Sequence, residues 1–548
     1  MISLGHRLAG WAADRPDTTA FTFLRRGEDP EASLSFAELH RRAGQIAGQL
    51  AGRGLAGRPV ALIYPPGLEF IEAFCGCLYA GAIPAALPLP AHARAAVRCA
   101  VICGAADFAA VLTIGSQLAS AALQPIRDAA PEVPWICTDG GPDGPGRDPA
   151  HAEEASPAFL QFTSGSTSEP RGVVISHANL IANQQMIAEA FDEDSDTRSV
   201  SWLPLHHDMG LIGAVLQPIY LGIPSTIMSP QSFLQKPVRW LQAISRQRAT
   251  TSGGPNFGYA QCVDRIPAAD LPSLDLSSWR VAFCGAEPVR PATLEGFAAR
   301  FEPSGFDASA LFPCYGMAEA TLFVSGGPAG GGLRTARRPD GRTVVSCGRS
   351  WGPQTITIVD PELGTARAEG EPGEIWLTGP HVAEGYRNSP EATARTFKAK
   401  LAGGDLEHLR TGDIGFLRGG ELFVTGRLKD LLIVRGANIH PEDVEDTVRR
   451  SDPALGGAGC AAFVIGEEDD KIAVVVELGR ASGGDDRSAL SKAASAAILL
   501  EHGFAPATIL FVGTGGVPRT TSGKVRRRAC REAYLQGRLG RLAESEGA

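Results

Sequence analysis

A Walker loop, GxxxxGK followed by Ser or Thr, is absent from the sequence, so the most familiar phosphate cradle is missing. CxxC pairs are absent too. The eleven cysteines are scattered, and Cys75 and Cys77 stand too close together for the usual zinc knuckle. There is no basic excess: the net charge of −9 argues against a general nucleic-acid surface. No uninterrupted apolar run is long enough to span a bilayer. The most apolar segment, "GLEFIEAFCGCLYAGAIPAALPLP", is broken by Glu69, Glu72 and three prolines. The first residues, "MISLGHRLAGWAADRP", lack a charged region followed by an apolar one, so no secretory signal is expected. No repeat of fixed period occurs. One GxSxG is present, "GRSWG" (348–352). It follows a glycine-rich loop and runs into Pro353 without a helical pattern, so the context of a nucleophile elbow fails.

What remains is an ordinary globular composition, with 44% hydrophobic and 20% charged residues across 548 positions. Reduced, mostly core cysteines fit a cytoplasmic protein. Apolar strand-like runs, "PVALIY" (59–64), "FAAVLTI" (108–114), "SVSWLPL" (199–205), "STIMS" (225–229) and "VAFCG" (281–285), alternate with helical stretches such as 67–81. That rhythm predicts α/β layers with buried sheets. The stretches 139–149 and 325–342 are rich in Gly and Pro and read as exposed loops. From about residue 345, short strands "TITIVD", "GEIWLTG" and "GELFVTG" separated by glycine turns predict a β-rich subdomain. The expected organisation is a large body over 1–428, with two α/β layered sheets and a β-rich part at 345–428. A smaller, mobile α+β domain over 429–548 completes it.

Several blocks could carry chemistry. In "FLQFTSGSTSEPRGVVIS" (159–176), Thr163, Ser164, Gly165, Ser166 and Thr167 form a hydroxyl-rich loop between two apolar runs. Such a loop offers many donors to phosphate oxygens, though on its own a flexible connector is the favoured reading. "WLPLHHDMGLIG" (202–213) brings His206, His207 and Asp208 together. At a strand end at most two of them share a face, which favours one positioned histidine in a pocket over a metal site. "ALFPCYGMAEAT" (310–321) sets Tyr315 at a turn, a possible stacking platform, and Glu319 on the following segment, a possible Mg2+ ligand; locally an ordinary helix start explains both. In "LRTGDIGFL" (409–417), Asp413 sits in a glycine-flanked turn where a carboxylate can accept from a ribose diol. "VPRTTSGKVRRR" (517–528) presents Lys524 after a Ser-Gly turn, where a solvated lysine is the plain alternative.

In combination and in this order, these blocks resemble the adenylate-forming superfamily of acyl- and aryl-activating enzymes, adenylation domains and luciferases. The matching pieces include "GAEPV" (285–289), "GEIWLTGPHVAEGYRNSPEAT", "RTGDIG", "GRLKDLLIVRGANIHPEDVE" and "TTSGKVRR". "LQFTSGST", "GGPNFGYAQC", "GMAEATLFVSGG" and "VSCGRS" are similar to the fatty acyl-AMP ligase branch. The resemblance implies ATP-dependent activation of a fatty acid to an acyl-adenylate, then transfer to the phosphopantetheine thiol of an acyl carrier protein, as in polyketide or nonribosomal peptide pathways. It implies ATP and Mg2+ as cofactors. Thr163, Ser164, Gly165, Ser166 and Thr167 would hold phosphates, with Thr167 and Glu319 as Mg2+ ligands. Gly285, Ala286, Glu287, Tyr315, Gly316 and Met317 would surround the adenine, with Tyr315 stacking on it. Asp413 and Arg427 would bind the ribose, and Lys524 would reach the α-phosphate and the acyl carboxylate. His207 would stand at the mouth of an acyl pocket lined by Asn256 and Phe257, and Lys429 would be the domain hinge.

No protein nucleophile is needed for this chemistry, in keeping with the lack of a convincing triad. Two departures stand out. Arg171 replaces the commoner lysine at the exit of the phosphate loop, with the cationic charge kept. The segment 328–344 is short and glycine-rich beside the insertion that marks fatty acyl-AMP ligases, an insertion held to limit domain rotation and CoA use. A fatty acyl-CoA synthetase therefore stands as the alternative, and a non-catalytic adenylate- or acyl-binding module as a third reading, against which Glu319 and Lys524 both speak. The basic run 524–528 with Arg531 is expected to dock an acidic carrier protein, or else to be a solvated basic helix.

Overall fold

The computed structural model describes residues 3–90, 93–140, 146–163, 170–338, 341–434, 437–466, 471–479, 487–520 and 524–540. Two mostly parallel sheets form its frame. In the larger one the strand order is Arg349–Ser350, Phe323–Gly326, Leu311–Gly316, Val281–Cys284, Thr251–Gly254, Ser199–Ser201, Ser225–Met228, Thr19–Arg25 and Asp29–Ser35. Its inner strands are parallel, while Phe323–Gly326 and Asp29–Ser35 run antiparallel toward the edges. The second sheet orders Gly385–Tyr386, Gly172–Ser176, Pro157–Phe162, Ile83–Leu87, Pro59–Ile63, Ala110–Thr113 and Trp135–Cys137. Pro59–Ile63 and Ile83–Leu87 are buried at every residue, as strands covered on both faces must be, which is why they read as unbroken apolar runs.

Helix His177–Phe191 ties the two sheets. Ser176 caps it, accepting from Asn179 N at 3.2 Å while Asn179 Oδ1 accepts from Ser176 N at 2.9 Å. The Asn179 amide then donates to the carbonyls of Pro380 and Val382, both at 2.9 Å. One turn on, Asn183 exchanges hydrogen bonds with the backbone of Phe323, at 2.7 and 3.1 Å. These buried amides stitch the segments that carry Glu319 and Tyr386 to a single helix.

A five-stranded antiparallel sheet follows, built from Thr355–Val359, Gly373–Thr378, Glu407–Arg418, Ala399–Lys400 and Glu421–Arg427. Beyond it lie the hairpin Leu432–Val434 and Ala437–Ile439, and a sheet of Cys460–Val464, Ile472–Leu478 and Thr508–Gly513. Helices Pro441–Ser451, Arg487–His502 and Arg527–Leu535 accompany them. The cysteines are free, and all but Cys137 and Cys314 are buried. Among the described residues no helix is long and apolar enough to cross a membrane.

The structure departs from the sequence reading at four places. Tyr315 is on strand Leu311–Gly316 rather than at a turn, and a 3₁₀ turn, Ala318–Ala320, with an antiparallel return strand replaces the helix start. The strand expected over 199–205 covers only Ser199–Ser201, so 206–208 lie in a turn leading to the π-helical segment Met209–Leu216. Asp413 is inside the long strand Glu407–Arg418. Between Ile414, paired with Glu374, and Arg410, paired with Trp376, the strand carries extra residues, and Gly412 takes φ 72° there. Finally, the supposed loop 325–342 includes the strand Thr335–Arg337, which pairs with Thr343–Val345. At its turn Arg338 and Arg342 reach Asp443 of helix Pro441–Ser451 at 3.1 and 2.6 Å, so this segment is packed rather than free.

Candidate active site

Residues from the C-terminal ends of the large sheet, from the antiparallel sheet and from the 517–526 loop converge on one cavity of about 1720 Å³. Thr163, Ala286, Glu287, Tyr315, Gly316, Met317, Glu319, Asp413, Arg427, Lys429, Lys524, His207, Asn256 and Phe257 all line it. Gly285 stands just behind, where a Cβ would come within 2.9 Å of the Cys314 carbonyl. Ser164, Gly165, Ser166 and Thr167 lie outside the described residues. Thr163 closes the strand before them, its N–H donating to the Arg171 carbonyl at 3.0 Å.

The bulge at Gly412 has a definite cause. Glu374, 2% exposed, accepts from the Arg410 guanidinium at 2.7 Å, from Trp376 Nε1 at 2.9 Å and from Gly412 N at 3.1 Å. This buried anchor holds the extra residues and aims Asp413 at the cavity. Tyr315 donates its hydroxyl to Asp413 Oδ2 at 2.7 Å, and Arg427 Nε pairs with Asp413 Oδ1 at 3.0 Å. Each oxygen keeps spare acceptor capacity. Asp413 raises the Arg427 guanidinium above its ordinary range even though burial opposes this.

Glu319 is held by Tyr386, whose hydroxyl donates to its carboxylate at 2.8 Å while the Arg171 guanidinium lies 5.1 Å over the Tyr386 ring. Burial raises the Glu319 carboxyl above its usual range. Glu287 is likewise raised by burial, and its carboxylate accepts from Phe257 N at 2.6 Å. Asn256 opens helix Asn256–Arg265 and its side-chain oxygen accepts from Arg290 N at 3.0 Å. His207 Nδ1 meets Asp208 Oδ1 at 2.5 Å, and Asp208 also caps Met209 N. Burial opposes the Asp208 charge, yet His207 and Lys524 hold its carboxyl down to about 2. Burial, with the charge of His207, pushes the His206 imidazole down to about 3. Among the described residues no three His, Cys, Asp or Glu side chains are grouped to hold a metal ion, so the metal reading of 206–208 fails.

Thr520 holds Lys524: the Lys524 N–H donates to Thr520 Oγ1 at 3.0 Å, and Thr520 N donates to the Lys524 carbonyl at 2.8 Å. Burial and the Arg427 charge lower its ammonium below the usual lysine range, while Asp208, Asp413 and Glu287 pull the other way. Arg527 does not belong to a docking surface. It is enclosed by Glu445 at 2.7 Å, Glu442 at 2.7 Å and Asp430 at 3.3 Å, a buried cluster joining the turn Leu428–Asp430 to helix Pro441–Ser451. Arg531 donates to the Val464 carbonyl, and Arg528 is the exposed member, beside Glu532. The charge run read as exposed is thus largely consumed inside the fold. "GRSWG" is no elbow either, since Arg349–Ser350 is a short antiparallel strand.

Sequence reasoning missed Tyr386, Glu374, Arg410 and Asp208 as organisers. Tyr386 was visible inside "GPHVAEGYRNSPEAT", but nothing local linked it to Glu319, 67 residues earlier.

The profile of AMP-binding enzymes matches residues 8–387, and that of the Disco-interacting protein 2-like AMP domain matches residues 429–544. The chain is 40% identical to the medium-chain-fatty-acid–[acyl-carrier-protein] ligase JamA of Moorena producens, over 95% of this chain and 93% of that protein. It is 38% identical to the ligase TtuA of Teredinibacter turnerae, described in the same words, over 97% and 94%. A crystal structure of a fatty acid AMP ligase from Legionella pneumophila superposes with a TM-score of 0.77 at 37% identity, over 99% of this chain and 97% of that one. A second fatty acyl-adenylate ligase structure, from work on the E. coli and L. pneumophila enzymes, gives 0.87 at 32%, over 98% of both chains. The chain belongs to the AMP-binding, adenylate-forming enzymes, which use ATP, and within them to the fatty acyl-AMP ligases.

Proposed function

We propose that this enzyme joins a medium-chain fatty acid to ATP, forming acyl-adenylate and pyrophosphate, and passes the acyl group to the phosphopantetheine thiol of an acyl carrier protein. The observation that carries the reading is that Lys524, Glu319 and the Asp413–Arg427 pair open onto the same cavity as the apolar residues beyond Asn256 and Phe257. A carboxylate oxygen attacks the α-phosphorus, and the bond to the bridging oxygen of pyrophosphate breaks. A thiolate then attacks the acyl carbon and AMP leaves. Lys524 meets the charge that builds between carboxylate and α-phosphate, and holding both reactants in line supplies much of the remaining acceleration. Asp413 and Arg427 hold the ribose. Tyr315 stacks on the adenine beside Gly285, Ala286, Glu287, Gly316 and Met317. Thr163, Ser164, Gly165, Ser166 and Thr167 hold the phosphates. His207, oriented by Asp208, stands at the mouth of the acyl arm.

Glu319 is a half-buried carboxylate that accepts from a neutral hydroxyl, that of Tyr386, which suits one ligand of a Mg2+ otherwise bound by phosphates and water; Thr167 would be the other. Bound there, Mg2+ would neutralise phosphate charge.

The domain after Lys429 turns between the two half-reactions. The contacts of Arg338 and Arg342 with Asp443, and of Arg290 with Asp446 at 3.0 Å, favour a restrained turn and hence a carrier-bound thiol over free CoA. The eleven free cysteines support a reducing, cytoplasmic setting. Labelled fatty acid incubated with ATP, Mg2+ and either CoA or a phosphopantetheinylated carrier protein tests the reading. Acyl-AMP and acyl-carrier product are expected; abundant acyl-CoA would favour the CoA synthetase alternative.

A further inference from the structure

The cavity does not end at the reacting groups. An arm of it continues between the large sheet and the segment Met209–Leu216, walled by Ile187, Phe191, Phe283, Gly213 and Ala214. The Phe191 ring stands 5.9 Å from that of Phe283, so this wall is apolar. The arm runs from the C-terminal ends of the parallel strands, where Asn256 and Ala286 stand, toward their N-terminal ends. There Ser199 and Thr251 sit side by side in register, and both line the cavity. From Thr251 to Asn256 is roughly 16 Å at the rise of a β-strand.

At that distant end the lining changes character. Gln217, 1% exposed, donates its amide to Glu193 Oε2 at 2.8 Å and to the Gln184 carbonyl at 3.3 Å. Among the described residues its own Oε1 has no partner, and neither amide atom of the fully buried Gln184 side chain has one. Gln217 and Glu193 both line the cavity. A pocket meant solely for a saturated chain would end in aliphatic groups, because buried polar atoms without partners are costly.

We propose that Glu193 and Gln217 form a specificity subsite for the far terminus of the acyl chain, selecting fatty acids that carry a hydrogen-bonding group, a hydroxyl, at the ω end. The hydroxyl donates to Gln217 Oε1 and exchanges a second hydrogen bond with Glu193. Burial pushes the Glu193 carboxyl up to about 7, so near neutral pH both its donor and acceptor forms are available.

This subsite rests on the acyl-activation reading above. The test is fatty-acid-dependent pyrophosphate release across a length series from hexanoic to tetradecanoic acid, each compared with its ω-hydroxy counterpart. At the length that fills the arm, the ω-hydroxy acid is expected to exceed the plain acid in kcat/KM by about 10-fold or more, and Gln217→Leu to bring that ratio to about one. A plain acid that equals or beats its ω-hydroxy partner at every length would overturn the subsite, a result the unaltered enzyme gives by itself even if the variant fails to fold. A ratio unchanged in a folded Gln217→Leu protein would overturn it too. Absence of pyrophosphate release with every acid would instead sink the activation reading, so the two failures are told apart.

Discussion

The two arms of the cavity are built on opposite principles. At the reacting end, Asp413, Arg427, Glu319, Glu287, Asp208 and Lys524 crowd together, each fixed by a named hydrogen bond or ion pair. In the acyl arm, Phe191, Phe283, Ala214 and Gly213 supply shape and almost no polarity until Glu193 and Gln217. On the proposed function, the first arm would work by charge placed in advance and the second by length and width. Changes in the two arms should therefore fail differently: one in the chemical step for every substrate, the other in substrate choice.

The largest effect is expected from Lys524→Ala, which removes the cation at the developing charge. Acyl-AMP formation should fall by about 10²–10³-fold with every fatty acid, read as pyrophosphate release. Loss confined to one chain length would instead place Lys524 among the groups that choose the substrate.

Gly213→Trp probes the other arm. A Cβ at Gly213 would meet nothing within 4 Å, so a large side chain there projects into open cavity. kcat/KM for medium-chain acids should drop about 100-fold relative to that for the shortest acids, a selective loss that Lys524→Ala cannot give.

How much of this was legible in sequence divides along the same line. Lys524, Asp413, Tyr315 and Glu319 are carried by short ordered blocks, because each holds a small polar group at the end or kink of one element. Their supports were not legible, since partners meet only through the tertiary fold. Glu374 reaches Arg410 across a bulge, and Arg338 reaches Asp443 across 105 residues. Strands of the body such as Pro59–Ile63 were readable as apolar runs, because sheets buried on both faces leave them unbroken. The hairpin at Thr335–Arg337 was not, because its glycine-rich flanks look like any exposed loop and Asp443, which its turn reaches, lies about a hundred residues further along the chain. Charge misled at Arg527, where three carboxylates turn an apparent surface cation into an internal tie.

A smaller effect is expected from Asp413→Asn. The side chain keeps its shape but loses the charge paired with Arg427, and the KM for ATP should rise about 10-fold with a lesser change in kcat. The smallest is a shift in pH profile. In the proposed role Lys524 would act protonated, and its ammonium is lowered by burial and Arg427, so kcat/KM should decline as pH rises through a value below the ordinary lysine range. Lys524→Arg, which stays charged, should move that alkaline decline upward whatever its absolute rate.

In the proposed reaction the fatty carboxylate itself attacks the α-phosphorus, with no acyl-enzyme between. Fatty acid labelled with heavy oxygen in its carboxyl group, turned over with ATP and carrier protein, tests this most directly. One heavy oxygen is expected in the released AMP, none in pyrophosphate, and no acyl mass retained on the enzyme after denaturation. Heavy oxygen in phosphate or pyrophosphate, or a stable acyl adduct on the chain, would contradict the proposed reaction.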